Sequence, residues 1–366
     1  MLDPIFNKYK TLFSILDTMD IVKPNTKNIV LYLNIDSIIK AIFTENINKA
    51  LLATNDTNGV KLSLVSNILN LAQHYRWYFS KKSYDCKVYA YWNFNCTDYI
   101  NRKYIDSYRS YYYNKMYNSI SCKYITDCLV SSHNPLKIIT QYMNQINIIN
   151  GCNVESSVIP YIIKERYCTD KNAQHIIIST DKYDFQYIKH GFDVLVPKQK
   201  NTVLLNKYNI MSFMKNAEGI KSTIMTPYQH LPSVLSLLGC RYRNISKIQG
   251  MGLGTIIKLI DKAMNELRIS ENTSDIITLS TIVEEKHRDK FITNYKCTDI
   301  ISQYNELSEL DIHNILGQII DKYDDNTLHY INDKYFQDSP LFIVKDHREQ
   351  FLNETGSQHH KSIFST

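Results

Sequence analysis

The chain is short of glycine: only 10 of its 366 residues are Gly. Where glycines gather, the backbone needs a positive φ or a close approach to another group. They gather once, as Gly250, Gly252 and Gly254 within 237–260, LLGCRYRNISKIQGMGLGTIIKLI. Other absences bound the function. Eight cysteines (Cys86, Cys96, Cys122, Cys128, Cys152, Cys168, Cys240 and Cys297) contain no CxxC pair and no zinc spacing. They read as reduced thiols in a cytoplasmic compartment. No signal peptide and no apolar run of bilayer-spanning length are found, so no membrane role is expected. No internal repeat is present. Strong charge of one sign is also lacking; a net charge of +6 is compatible with a polyanion partner without requiring one.

Hydrophobic residues make up 44% of the chain and charged residues 21%, the balance of a folded protein with a large core and two lobes. Tyrosine is abundant, with 28 residues, and with the many Ile, Asn and Lys it reads as the mark of an AT-rich coding sequence. Residues 4–19 place apolar side chains at helical spacing. Asn28–Asp36, NIVLYLNID, is a continuous apolar run ending in an acid, as in a buried parallel strand. In an open α/β sheet that strand end is where ligands bind. Asp36 equally suits the cap of a following helix over 37–52. Residues 60–79 read as an amphipathic helix, and 86–92, CKVYAYW, as a second strand ending at Asn93. Leu136–Ile149 and Val154–Tyr167 read as helices, His175–Asp181 as a third strand, and Phe192–Val196 as a fourth. A short apolar helix at 232–238, the glycine turn and a helix at 255–264 follow. Beyond them the chain reads as helical to about residue 330, and 346–366 as a mobile tail whose His359–His360 pair is no metal site.

Two stretches carry chemistry suited to nucleic acid. In 97–124, Arg102, Lys103, Arg109, Lys115 and Lys123 are interleaved with tyrosines; cations neutralise phosphates and aromatic faces stack bases. A solvated Tyr-rich helix is the plainer alternative. The glycine turn opens a helix whose free N–H groups suit a phosphate, flanked by Lys247 and Lys258. Plain helix packing is the alternative there.

In order and spacing these pieces resemble the flap endonuclease / 5′–3′ exonuclease family, phage RNase H-like enzymes included, over residues 28–265. The resemblance rests on the strand ending at Asp36. It also rests on STDKYDFQY at 179–187, similar to the family's S-D-K-D-x-x-Q-L run with Asp181, Lys182 and Gln186 matching. Finally, 238–260 is similar to the family's helix–hairpin–helix, with Gly239, Asn244, Ile245, Gly250, Gly252 and Leu259 in place. It implies an α/β fold: a PIN-like parallel sheet flanked by helices, with a helix–hairpin–helix element and a helical C-terminal lobe. The expected division is 1–27 an N-terminal helix, 28–206 the α/β domain with a helical arch at 97–124, 207–345 the helical lobe with the helix–hairpin–helix at 231–264, and 346–366 the tail. Tyr108–Arg109 resembles part of the arch's Y-K-x-x-R run.

The family cuts phosphodiesters with two divalent ions held by carboxylates, so the resemblance implies Mg2+ or Mn2+ at Asp36 and Asp181, and catalytic roles for Asp36, Glu155, Asp181 and Asp184. It also implies DNA contacts, on duplex and single-strand junctions, from Arg102, Lys103, Tyr108, Arg109, Lys247, Gly250, Gly252, Gly254 and Lys258. K+ is expected at the hairpin. Here, however, Asn93 stands where the second strand's acid is expected. Val154-Glu155-Ser156-Ser157 replaces E-A-D-D, Tyr183 takes the position of an acid with Asp184 displaced by one, and Cys240 and Arg243 replace both hairpin aspartates. Isolated carboxylates hold such an ion weakly, and an arginine beside it is repulsive. The expected function is therefore a catalytically degenerate DNA-binding protein in replication, repair or transcription, with replication or transcription proteins as partners. Its rivals are an active metal-dependent 5′ nuclease and a protein-binding scaffold.

Overall fold

A computed structural model describes residues 21–24, 26–38, 57–93, 103–107, 146–151, 154–197, 202–221, 228–240, 243–266 and 283–319. The expected N-terminal helix at 4–19, the tail, and most of 37–52 and 97–124 lie outside the described residues.

Six strands form one sheet: β1 (Asn28–Asn34), β2 (Asp85–Trp92), β3 (Ile146–Asn150), β4 (Gln174–Ile178), β5 (Asp193–Val196) and β6 (Val203–Leu205), in the order β3-β2-β1-β4-β5-β6. The first five in space are parallel; β6 closes the β5 edge antiparallel. The sheet is thus mixed. β1 sits at its centre because its side chains are buried on both faces, as a continuous apolar run demands. Ile29, Leu31 and Leu33 point to one face and Val30 and Tyr32 to the other, with the two-residue period of a strand.

The first face is covered by helix α1 (Thr57–Lys81) through Ile68, Ala72, Tyr75 and Phe79, packed against Val88, Ala90, Trp92 and Ile148. The second is covered by α2 (Ile159–Arg166), a 3-10 helix at Lys182–His190, α3 (Ile210–Ala217) and the helices that follow. These are α4 (Leu231–Leu238), α5 (Leu253–Glu266), α6 (Glu285–Thr298), α7 (Ile300–Asn305) and α8 (Glu309–Leu316). α4 packs between α5 and α6, and α8 packs on α2. One continuous core runs from Tyr32 in the sheet to Ile315 in α8. Tyr32, Tyr89, Tyr91, Tyr183 and Tyr187 are all buried in it. Tyrosine is therefore a core residue in this chain. Tyr32 shows how: its ring stacks on Tyr89 while its hydroxyl meets His175 Nδ1 at 3.0 Å.

One reading is corrected and another extended. The stretch 136–149 was expected to be helical, but Ile146–Asn150 is β3, paired with Val88–Trp92. Ile146, Ile148 and Ile149 suit either state as a short apolar run, and β-branching together with a waiting strand edge decides for the sheet. The expected parallel sheet is present as five strands, and a sixth strand, β6, runs against β5; at three residues it is too short to carry a periodic signal. In α2 and α4 the helix starts agree with Pro160 and Pro232 in the first turn, where no N–H is needed.

Candidate nucleic-acid interface and the carboxylate edge

The parallel register aligns the C-terminal ends of four strands. Asn34 pairs with Tyr91, Tyr91 with Ile149, Trp92 with Asn150, and Leu33 with Ile178. The residues just beyond (Asp36, Asn93, Glu155 and Asp181) therefore lie along one edge of the sheet. β1 ends at Asn34, two residues short of the expected acid, and the chain turns helical at 35–38.

Each carboxylate has a defined environment. Both oxygens of Asp36 accept from the Asn93 backbone N–H, at 3.1 Å each. The Asn34 side chain accepts the Ser37 N–H at 3.1 Å, while most of the helix that Asp36 was expected to cap lies outside the described residues. Asn34 also donates to Asp184 Oδ2 at 2.7 Å. Ser37 Oγ meets Ser179 Oγ at 3.0 Å and accepts from the Thr180 N–H at 3.1 Å, clipping the ends of β1 and β4 together. Asp181 caps the 3-10 helix by accepting from the Tyr183 N–H at 3.0 Å. Asp184 is fully buried. Burial pushes its carboxyl up and the neighbouring Asp181 charge pushes it further, against hydrogen bonds from Ser179 and Asn34 and the Arg243 charge.

Arg243 sits in the middle of this edge. Its Nη2 donates to Asp181 Oδ2 at 2.9 Å and its Nη1 to Ser157 Oγ at 3.2 Å, with Glu155 Oε1 3.7 Å from Nη1. The guanidinium carbon lies 4.5 Å over the Tyr183 ring. The Arg243 and Glu155 side chains are 3% and 1% exposed, so the pair is desolvated, whereas Asp181 remains 30% exposed. The guanidinium thus lies between the two carboxylates. A hard divalent ion needs several oxygens facing one point. Here Asp36 faces a backbone N–H, Asp184 faces an amide, and Asp181 and Glu155 face a guanidinium. Among the described residues no group of three or more His, Cys, Asp or Glu side chains could hold a metal. The donor set does not fit a divalent ion.

The Arg243 loop leads directly to the glycine turn. Cys240 and Ile245 form an antiparallel bridge, with Asn244 left-handed at φ 53°. Gly239 must be glycine: its φ is +67°, and a Cβ there would lie 2.5 Å from the Lys247 backbone nitrogen. Gly250 turns at φ +77°. Gly252 and Gly254 differ. Neither has a positive φ; a Cβ at Gly252 would meet nothing within 4 Å, and one at Gly254 would only touch Ile220 Cδ1 at 4.0 Å. Helix packing does not require these two glycines. The Gly252 carbonyl accepts the Ile256 N–H at 3.0 Å, which leaves the first-turn N–H groups of α5 without intrahelical acceptors. Lys247 and Lys258 are exposed nearby in sequence.

Of the basic–tyrosine stretch, 103–107 is described, while Arg102, Tyr108 and Arg109 lie outside the described residues. Lys103 pairs with Glu306, Tyr104 donates to the same carboxylate, and Lys296 lies 5.0 Å over the Tyr104 ring. Sequence reasoning missed Asn34, Ser157 and Tyr183 as partners in the carboxylate edge. Ser157 and Tyr183 stood out only as replacements for acids, and Asn34 only as a polar residue inside an apolar strand.

No protein-family model matches the sequence, and no curated protein matches it. Among solved structures, the chain is similar to the T5 D15 protein co-crystallised with metal ions, at TM-score 0.51 and 11% identity over 79% of this chain and 98% of that one. It is equally similar to a pseudo-enzyme–product complex of the bacteriophage T5 flap endonuclease with DNA and metal ions, at TM-score 0.51 and 12% identity over 79% and 98%. The T5 5′-exonuclease with bound zinc gives the same TM-score, identity and coverage as that complex. This chain has the T5 flap endonuclease fold. At such identity the likeness establishes the fold and nothing finer.

Proposed function

We propose that the protein binds branched or single-stranded DNA with a flap endonuclease fold whose hydrolytic centre is degenerate, in replication, repair or transcription. The carrying observation is Arg243, seated between Asp181 and Glu155 on the sheet edge. Metal-assisted hydrolysis needs a cation that activates water and stabilises a pentavalent phosphorus. A buried guanidinium supplies charge but generates no hydroxide. The glycine turn needs no carboxylates to work. Main-chain N–H groups at a helix start, with Gly252 open on its Cα side and the exposed Lys247 and Lys258 close in sequence, are suited to the sugar–phosphate backbone. That one neighbour is a DNA complex supports the reading.

The test is a panel of 5′-flap, forked and single-stranded DNA. Binding in EDTA that weakens steeply with salt is the expected result, with no cleavage in Mg2+ or Mn2+ above an Asp181→Ala control. Cleavage abolished both by EDTA and by Asp36→Ala would overturn the degenerate centre. Absence of low-salt binding would leave the fold as a protein scaffold.

A further inference from the structure

We infer that Glu306 is an internal competitor for nucleic acid: its carboxylate occupies Lys103 and Tyr104, two donors that a phosphate of a bound single strand would otherwise take. The inference rests on the DNA-binding reading above. Lys103, expected from the sequence to contact phosphate, is engaged in the folded chain by an acid from the C-terminal helices. Its ammonium donates to Glu306 Oε2 and the Tyr104 hydroxyl donates to Oε1, so each carboxylate oxygen has one donor. Two ammonium groups lie over the Tyr104 ring, Lys103 at 4.8 Å and Lys296 at 5.0 Å from its centroid. Cations, an aromatic face and a hydroxyl thus gather at one carboxylate, and that set of side chains suits a nucleic-acid strand.

The carboxylate is chemically close to the group that would displace it. A carboxylate and a phosphodiester each spread one negative charge over two oxygens, and both accept from lysine and hydroxyl donors. The helix itself does not account for an acid here. Glu306 directly follows the last residue of α7, at the end where the helix dipole disfavours negative charge. Displacement is within reach of a strand: the Lys103 and Glu306 side chains are 43% and 35% exposed. An ion pair so exposed is weak and is screened by salt. Tyr104 and Ile105 pack against the core, which holds the segment in place when the carboxylate is released.

The experiment measures binding of a fluorescein-labelled oligo(dT) strand to the full chain, by anisotropy across a salt series in EDTA. It compares the native protein with Glu306→Gln, Glu306→Ala, Lys103→Ala and the double variant Lys103→Ala with Glu306→Gln, each checked by its melting transition. Both single Glu306 variants are expected to bind about two- to fivefold more tightly than the native protein, the range an exposed ion pair supplies. Their salt slope should steepen by about one phosphate contact. In the Lys103→Ala background the gain from Glu306→Gln should vanish. A gain of equal size in both backgrounds is a general effect of removing negative charge and overturns the inference. So do folded Glu306 variants that bind as the native protein does, or more weakly. The native protein separates the two readings. If neither it nor any variant binds at low salt, DNA binding itself fails and the competitor falls with it, whereas native binding that Glu306 does not modulate defeats the competitor alone.

Discussion

Single residues carry unequal weight in this chain, and its glycines show it. Gly239 combines a left-handed φ of +67° with a backbone approach that leaves no room for a methyl group. Gly239→Ala is therefore expected to cost about 2 kcal/mol or more, read as a lowered denaturation midpoint. Gly252→Ala meets open space at an ordinary φ and should leave stability within about 0.5 kcal/mol. An equal loss for both would refute the distinction. Sequence spacing could not separate these two glycines, because what separates them is the Lys247 backbone packed against one and not the other. The acids fared better. Asp36 and Asp181 were readable because each follows a buried apolar run. The bond from Asn34 to Asp184 was not, since only the pairing of β1 with β4 brings those residues together. Arg243 stood out in the sequence as a misplaced cation. Its actual partners became known only when the loops after β3 and β4 were placed beside it.

At the level of elements, the turn from α4 to α5 is the testable unit. If it grips a duplex through its backbone, Gly252→Val in a protein that still melts normally should weaken low-salt duplex binding about tenfold or more. Lys247→Ala with Lys258→Ala should lower the salt slope by about two, one for each phosphate no longer neutralised. Cys240→Ala should change neither, as its buried thiol faces the core. Fluorescence anisotropy across a salt series reads all three, and unchanged affinity in Gly252→Val would assign the turn to packing. The two helices of this unit were readable from apolar spacing to within two residues. β3 was not, because Ile146–Asn150 is a short run that becomes a strand only when β2 offers an edge.

For the whole molecule, buried histidines bear on stability in acid. His175 is 5% exposed and His230 is fully buried. Burial, aided by nearby lysines, pushes both down from 6.5 to about 4. A depressed folded value means that the unfolded chain takes up the proton first. The stability these groups contribute is present above about pH 6.5 and is lost as pH falls towards 4. Asp184 acts in the opposite sense: burial raises its carboxyl to about 7, so its contribution is present at low pH and lost as pH rises. Comparison with a variant isolates the histidine effect. His230→Leu should flatten the acid side of the melting-temperature profile and recover up to roughly 3 kcal/mol at pH 4 relative to pH 7. An unchanged profile would mean that His230 stays neutral in both states.

The strand order has a further consequence, for the chain as it is made. β1 lies at the centre of the sheet with β2 on one side and β4 on the other, and Ile29 pairs with Gln174. A chain emerging from the ribosome completes the β1–β2–β3 half before β4 exists. Throughout that interval the second edge of β1, NIVLYLN, stays open, apolar and without the charges that usually guard a strand edge. The nascent protein is therefore most vulnerable to sticking to its neighbours while residues 151–173 are being added, and synonymous codons that slow synthesis there would be expected to lower its soluble yield.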